Sequence, residues 1–321
     1  MTNKMKAVVF ATYGAPEVLQ LQHVGKPEPK DNEILLRIKA TAANSGDWRI
    51  RKADPFAIRL FFGLAKPKIN ILGSVFSGEI EAVGKSVTRF KAGDEVFGST
   101  GMTLGAYAEY ICLPENGPLA PKPGNLTHQE AAVIPFGGTT ALYWIRKANI
   151  KKGQKVLING ASGAVGTAAV QLAKYFGATV TGVCGTSNMD LVKSLGADKV
   201  IDYTKEDFAR NGETYDVIFD TVNKISFSRG LKSLHKNGKF IQSAAGMPAM
   251  LRGLWVSATS GRKVLAGVIS QKAEDIEFLK TLAGTNHLKA VIDRTYALDR
   301  MAEAHTYIEK GHKSGNVAIT V

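Results

Sequence analysis

Apolar positions along the chain follow two regimes. Over the first 120 residues they form short runs, among them Met5-Lys6-Ala7-Val8-Val9-Phe10 and Glu33-Ile34-Leu35-Leu36-Arg37-Ile38-Lys39. Polar segments holding Pro16, Pro27 and Pro29 separate these runs, as do glycine turns at Val83-Gly84-Lys85 and Lys91-Ala92-Gly93-Asp94. Short strands bounded by such turns predict a β-rich domain, a small β-barrel. From residue 125 the pattern changes: apolar, β-branched runs at 155–159, 179–183, 199–201, 215–220, 238–243 and 264–269 alternate with amphipathic stretches. Six strands with helical crossovers predict a doubly wound parallel sheet and an α/β fold class. Thr127, three residues before Glu130, predicts a capped helix start. Helices are expected at 272–284 and from Thr295 to Lys310, with a last strand from Asn316 to Val321 that returns the chain to the first domain. The expected domains are therefore 1–122 with 270–321, and 123–269.

The most informative stretch is 155–186. Lys155-Val156-Leu157-Ile158-Asn159 reads as a buried strand, Gly160-Ala161-Ser162-Gly163-Ala164-Val165-Gly166 as a turn, and the residues up to Gly177 as an amphipathic helix. A strand, a glycine-rich turn and a helix N-terminus in that order form a Rossmann unit, which offers amide N–H groups to a pyrophosphate. Gly160 permits the tight turn, Gly163 lets the backbone approach phosphate, and Gly166 lets the helix pack on the sheet. Ser162, Ala164 and Val165 complete the candidate cofactor-binding loop.

An NAD site places an Asp or Glu about 20 residues further on. Here Cys184-Gly185-Thr186-Ser187-Asn188 holds no acid before Asp190. Thr186 and Ser187 can donate to a 2′-phosphate, and Lys174 on the preceding helix can supply charge, so NADPH is the expected cofactor. The bland reading of Lys174 is a solvated helix residue.

Composition narrows the setting. The 321 residues are 45% hydrophobic, ample for two cores, and no run of about 18 apolar residues predicts a membrane span. Met1-Thr2-Asn3-Lys4-Met5-Lys6 lacks the apolar core of a signal peptide. With only Cys112 and Cys184 far apart in sequence, this predicts a cytoplasmic protein without a disulfide framework. The net charge of +13 is scattered, not gathered in a block, which argues against nucleic acid as the partner.

Several motifs in one order resemble the medium-chain dehydrogenase/reductase superfamily over essentially the whole chain. They are Ala42-Ala43-Asn44-Ser45-Gly46-Asp47, the stretch from Gly73 through Gly78 to Gly84, Phe90-Lys91-Ala92-Gly93-Asp94-Glu95-Val96, Gly137-Gly138-Thr139-Thr140, and Val192 to Asp198. The resemblance implies a GroES-like β-barrel domain joined to a Rossmann doubly wound sheet. The zinc alcohol dehydrogenases of that superfamily need thiolate and imidazole ligands. At the matching places this chain has Asn44, Ser74 and Gly137, and no cysteine quartet surrounds Cys112. The expectation is a zinc-free protein like the quinone oxidoreductase and zeta-crystallin branch, which passes hydride from NADPH to quinones or α,β-unsaturated carbonyls.

By the same resemblance Asn44 is placed to bond substrate oxygen or nicotinamide ribose, Thr140 lies near the nicotinamide, and Tyr203 packs by the adenosine phosphate. Ser243 is a further cofactor candidate, at a carboxyl strand end. Tyr107 is a candidate proton donor, with solvent as the alternative. Two other readings stay open: an NADP-dependent alcohol/aldehyde oxidoreductase, and a low-turnover NADPH-binding sensor or RNA-binding relative. A small electrophilic substrate and a homodimer through the strand near 264–269 are expected. The apolar stretches 56–62 and 247–255 line a substrate pocket, pack internally or make a dimer contact; the first alternatively touches an anionic membrane surface.

Overall fold

A computed structural model describes residues 3–243, 253, 255–257 and 260–321. The chain divides into two compact units, Met1–Phe136 with Gln271–Asn286 and Ala290–Val321, and Gly137–Ser270 with His287–Lys289. The division falls at Phe136/Gly137, inside the helix His128–Ala148, whereas the sequence pattern placed it at 122/123. The first turns of that helix belong to the first unit because Val133 packs with Ala42, Val75 and Ala318. Its start is closed as expected: Glu130 N–H donates to Thr127 Oγ1 at 3.2 Å while Glu130 accepts from Thr127 N–H at 2.8 Å.

In the first unit, β1 (Lys4–Val9) pairs with β2 (Gln20–Gly25) as an antiparallel hairpin. The long β3 (Glu33–Ala43) organises the rest. It pairs antiparallel with β4 (Val75–Val83), which continues to β5 (Glu95–Ser99) and β7 (Leu119–Pro121), while β6 (Tyr110–Pro114) pairs with β3. Ile34, Leu36, Ile38, Phe76, Ile80 and Val96 form one apolar core. Burying each such side chain is worth roughly 1.5–3 kcal/mol.

The second unit is a six-stranded parallel sheet of β8 (Lys155–Asn159), β9 (Thr179–Cys184), β10 (Lys199–Asp202), β11 (Tyr215–Asp220), β12 (Leu234–Gln242) and β13 (Lys263–Ala266). Their spatial order is β10-β9-β8-β11-β12-β13. Chain order therefore reverses direction between β8 and β11, which makes the carboxyl ends of those two strands the switch point where such sheets bind ligands.

At the chain's end, β14 (Ile292–Ala297) and β15 (Asn316–Thr320) join the first unit, with β15 between β14 and β3. The helix expected from Thr295 is confined to Met301–Glu309. Ile292-Asp-Arg-Thr-Tyr-Ala is rich in β-branched and aromatic residues and is taken up by β15 instead. The stretch 247–255 lies largely outside the described residues. Among those described, no helix is long and apolar enough to cross a membrane.

Candidate active site

The glycine loop follows β8 at the switch point. Gly160 has φ +74°, and a Cβ on it would stand 2.7 Å from Thr221 Oγ1 and 2.6 Å from Val222 Cγ1. Gly163 is the N-cap of the helix Ala164–Tyr175, and a Cβ there would meet only Gly160 O, at 3.5 Å, so the space before that helix terminus is open. A Cβ on Gly166 would lie 2.0 Å from Gly160 O, so only glycine lets the helix lie this close to the loop. Ser162, Gly163 and Val165 are partly exposed around the opening, and Ala164 begins the helix. Unpaired first-turn amides at an open helix start suit an anion.

Asp220, fully buried at the end of β11, holds the floor beneath this loop. It accepts from Asn159 Nδ2 at 2.9 Å and from Ile225 N–H at 2.7 Å, and neighbouring Thr221 Oγ1 donates to Asn159 O at 2.8 Å. Ser243, after β12, donates to Asp220 O at 3.3 Å. The residues Asn159, Asp220 and Thr221 carry no motif of their own. Only the parallel pairing of β8 with β11 brings them together.

At the end of β9, Thr186 and Ser187 are exposed. Tyr203 is 61% exposed, with ring atoms 3.7 Å from the place a Cβ on Gly185 would occupy. Asp202, which sequence reasoning passed over, is buried beside them and accepts from the Thr186 hydroxyl and from Thr204 N–H at 3.0 Å and Oγ1 at 2.7 Å. These hydroxyl donors hold its carboxyl below the usual range.

Lys174 stands toward the amino end of β9, where its partner Asp198 accepts from Val180 N–H at 2.7 Å, whereas Thr186 follows the carboxyl end of that strand. It sits in the last turn of the helix whose first turn meets the loop, about 15 Å along the axis. Its ammonium is spent on both oxygens of Asp198, at 2.8 Å each. Thr140 is a buried residue in the interior of the helix His128–Ala148, which rules out a capping role. A Cβ on Gly137 would lie 2.2 Å from Ala164 O, so this helix touches the backbone at the loop-helix start, and Thr140 follows one turn on along that face.

In the first unit Asn44 is buried ahead of the helix Ser45–Lys52, and its N–H donates to Asp47 at 2.9 Å. Asn44 Nδ2 donates to Ala42 O at 3.3 Å, while its Oδ1 meets no donor among the described residues. Asp47 heads a buried polar chain. Arg51 Nε donates to His305 Nδ1 at 3.2 Å, and arginine can only donate, so Nδ1 carries the lone pair and Nε2 the proton. His305 Nε2–H then donates to Tyr107 Oη at 3.1 Å, leaving the Tyr107 O–H to donate to Asp47. Arg51 is itself neutralised by Glu309 at 2.6 Å.

Burial pushes the Asp47 carboxyl up to about 7 against the pull of Asn44, Tyr107 and Gly73. Burial, aided by the Arg51 charge, holds His305 down at about 3. The candidate proton donor Tyr107 lies inside this chain. It is fully buried, its phenol lies between Asp47 and His305, and burial with the Asp47 charge raises it well above its ordinary value. Its O–H is given to Asp47 and its ring is shut away from solvent.

Comparison with known proteins agrees with this anatomy. Residues 30–124 match the alcohol dehydrogenase GroES-like domain and residues 195–319 the zinc-binding dehydrogenase family. A quinone-oxidoreductase homolog of Spinacia oleracea is 34% identical, with 98% of each chain covered. The chain belongs to the medium-chain dehydrogenase/reductase family. A 2-methylene-furan-3-one reductase of Solanum lycopersicum is 31% identical over 99% of this chain and 79% of its own. The quinone oxidoreductase structure from Coxiella burnetii superposes with a TM-score of 0.89 at 30% identity, covering 99% of both chains. The Escherichia coli quinone oxidoreductase complexed with NADPH gives a TM-score of 0.83 at 25% identity, covering 98% of this chain and 100% of its own.

The family's zinc does not fit the donor set present here. The Asn44 position offers an amide, and Cys112 and Cys184 lie in separate units. Among the described residues no group of three or more His, Cys, Asp or Glu could hold a metal ion.

Proposed function

We propose that this protein is a cytoplasmic, zinc-independent reductase that uses NADPH to reduce quinones or α,β-unsaturated carbonyls. The observation that carries the reading is the glycine loop at the β8/β11 switch point, open at Gly163 and aimed along a helix axis. Its family setting, beside quinone oxidoreductases and an enone-type reductase, narrows the acceptor.

NADPH bound there supplies the hydride. The residues' work is to orient and to place donors. First-turn amides from Ala164 to Gly166 bind pyrophosphate, with Ser162 and Ser243 beside the loop, and Gly160 and Gly163 keep the approach clear. Thr186, Ser187 and the Tyr203 ring receive the adenosine end; because the Thr186 hydroxyl already donates to Asp202, Ser187 supplies the hydroxyl donor to a 2′-phosphate. Thr140 lies next to the loop-helix start and serves the nicotinamide end. Asn44 supplies an amide to substrate oxygen or ribose, and the chain Arg51–His305–Tyr107–Asp47 holds Asn44 in place. The proton comes from solvent.

Purified protein should oxidise NADPH with a quinone or enone acceptor after exhaustive chelation. Activity abolished by the chelator and restored by zinc refutes the reading. Oxidation of simple alcohols with NADP⁺, in place of acceptor reduction, refutes the substrate class. The edge strand β13 supports a homodimer formed strand to strand, which light scattering of the purified protein tests directly.

A further inference from the structure

Soluble proteins rarely show several large apolar side chains to water on one small segment. Here Phe56, Leu60, Phe61 and Leu64 are 68%, 67%, 78% and 64% exposed, four of the twelve exposed large apolar side chains among the described residues, within nine positions. The segment Pro55 to Lys68 sorts its side chains cleanly. Phe62 is buried in the first unit's core and Ile58 packs against it, while Leu60 and Phe61 point outward.

The display is rigid. Tyr13 Oη donates to Gly63 O at 2.7 Å, Lys68 N–H to Phe62 O at 2.7 Å, and Gly63 N–H to Arg59 O at 2.9 Å. Gly63 has φ +119°, and a Cβ on it would come within 2.2 Å of Lys66 O, so the turn at the edge of the patch demands glycine. Arg59 lies over the rings of Tyr13 and Phe56, at 4.7 and 5.2 Å. The four apolar groups therefore stand on a platform fastened beneath them.

The surroundings are basic. Lys66 and Lys68 are exposed beside the patch in sequence, Lys52 is exposed but paired with Glu309 at 2.7 Å, and between 49 and 68 the only acid is Asp54. Apolar side chains flanked by lysines suit the boundary of an anionic bilayer, where rings and leucines enter and ammonium groups stay with the headgroups. The net charge of +13 favours that surface, and the lysines beside the patch oppose a second copy of the same face upon it.

We propose that the face made by Phe56, Leu60, Phe61 and Leu64, flanked by Lys66 and Lys68, docks the protein on an anionic phospholipid membrane, bringing it to apolar acceptors dissolved in the lipid. The acceptor part rests on the reductase reading above; the docking part does not.

Co-sedimentation with vesicles of phosphatidylcholine, alone or mixed with phosphatidylserine, tests it. Wild type should bind the mixed vesicles at least about tenfold more tightly, and high salt should weaken that binding. Lys66→Glu with Lys68→Glu should lose about tenfold or more on anionic vesicles. The same variant should turn over a water-soluble quinone unchanged yet reduce a vesicle-borne long-chain quinone more slowly. Leu60→Ser with Phe61→Ser, checked for fold by circular dichroism, should lose binding to the mixed vesicles.

Equal binding to both vesicle types, or none, overturns the proposal. So does loss of self-association in Leu60→Ser/Phe61→Ser with no change in lipid binding, which assigns the patch to a second copy. A raised KM for the soluble quinone with lipid binding intact assigns it to a substrate pocket and also overturns the proposal. Salt-sensitive vesicle binding without any acceptor reduction leaves docking standing and removes the reductase reading.

Discussion

Replacing His305 with Asn tests the buried polar chain through its dependence on pH. An Asn amide can accept from Arg51 and donate toward Tyr107, but it does not titrate. In the native protein His305 stays neutral down to about 3, whereas its ordinary value is 6.5. As pH falls below about 6.5 the unfolded chain takes up a proton that the native state refuses, so wild-type stability drops. Each pH unit in that window is worth about 1.4 kcal/mol, so the advantage of wild type over His305→Asn should shrink by about 3 kcal/mol between pH 6.5 and 4. Asp47 works in the opposite sense. Its native carboxyl keeps its proton up to about 7 against an ordinary 3.8, so its contribution is present at low pH and is lost as pH rises toward 7. In wild type the two slopes largely offset each other; in His305→Asn the Asp47 slope is uncovered, and that variant should gain stability on going from pH 7 to 4. Urea unfolding at half-unit pH steps reads both effects, because any fixed loss of packing cancels from the slope. A gap between wild type and variant that stays constant from pH 7 to 4 refutes the neutral, proton-refusing His305.

Three further outcomes follow from distances already given. Gly166→Val must displace Gly160 O from 2.0 Å, so fluorescence titration should show NADPH affinity down by about tenfold or more; unchanged affinity removes the loop from the cofactor site. Lys174→Ala breaks a half-exposed ion pair worth about 1 kcal/mol or less, and the KM values for NADPH and NADH should move together; a rise for NADPH alone restores its 2′-phosphate role. Asn44→Ala should lower kcat by about tenfold or more in steady-state assays while leaving the NADPH dissociation constant nearly unchanged, and full activity dismisses Asn44 from the site.

What could be read from sequence was what neighbouring residues decide together. Lys155 to Gly166 announces strand, turn and helix because period, β-branching and glycine spacing are local, and the same holds for the Thr127/Glu130 cap. The surroundings of Lys174 were not legible in the same way, because its partner Asp198 lies 24 positions on and outside any local window. Thr295 to Ala297 turned into strand because β15 offered a partner that no local window contains. His305 gave no signal. Its role exists only because the Met301–Glu309 helix brings it to Arg51 and Tyr107, 254 and 198 positions away. Asp202 and Asp220 were equally silent, since strand pairing creates their surroundings.

The interleaving of β15 between β14 and β3 has a consequence for biosynthesis. Most of the nucleotide-binding half, Gly137–Ser270, is contiguous and emerges from the ribosome as one block, whereas β3 waits for a neighbour nearly three hundred residues downstream. Until Asn316–Thr320 appears, the edge of β3 from Ala40 to Ala43 lies bare beside the Asn44 turn, and the Tyr107 phenol lacks its imidazole. The segment around Asn44 is therefore among the last to gain all its neighbours.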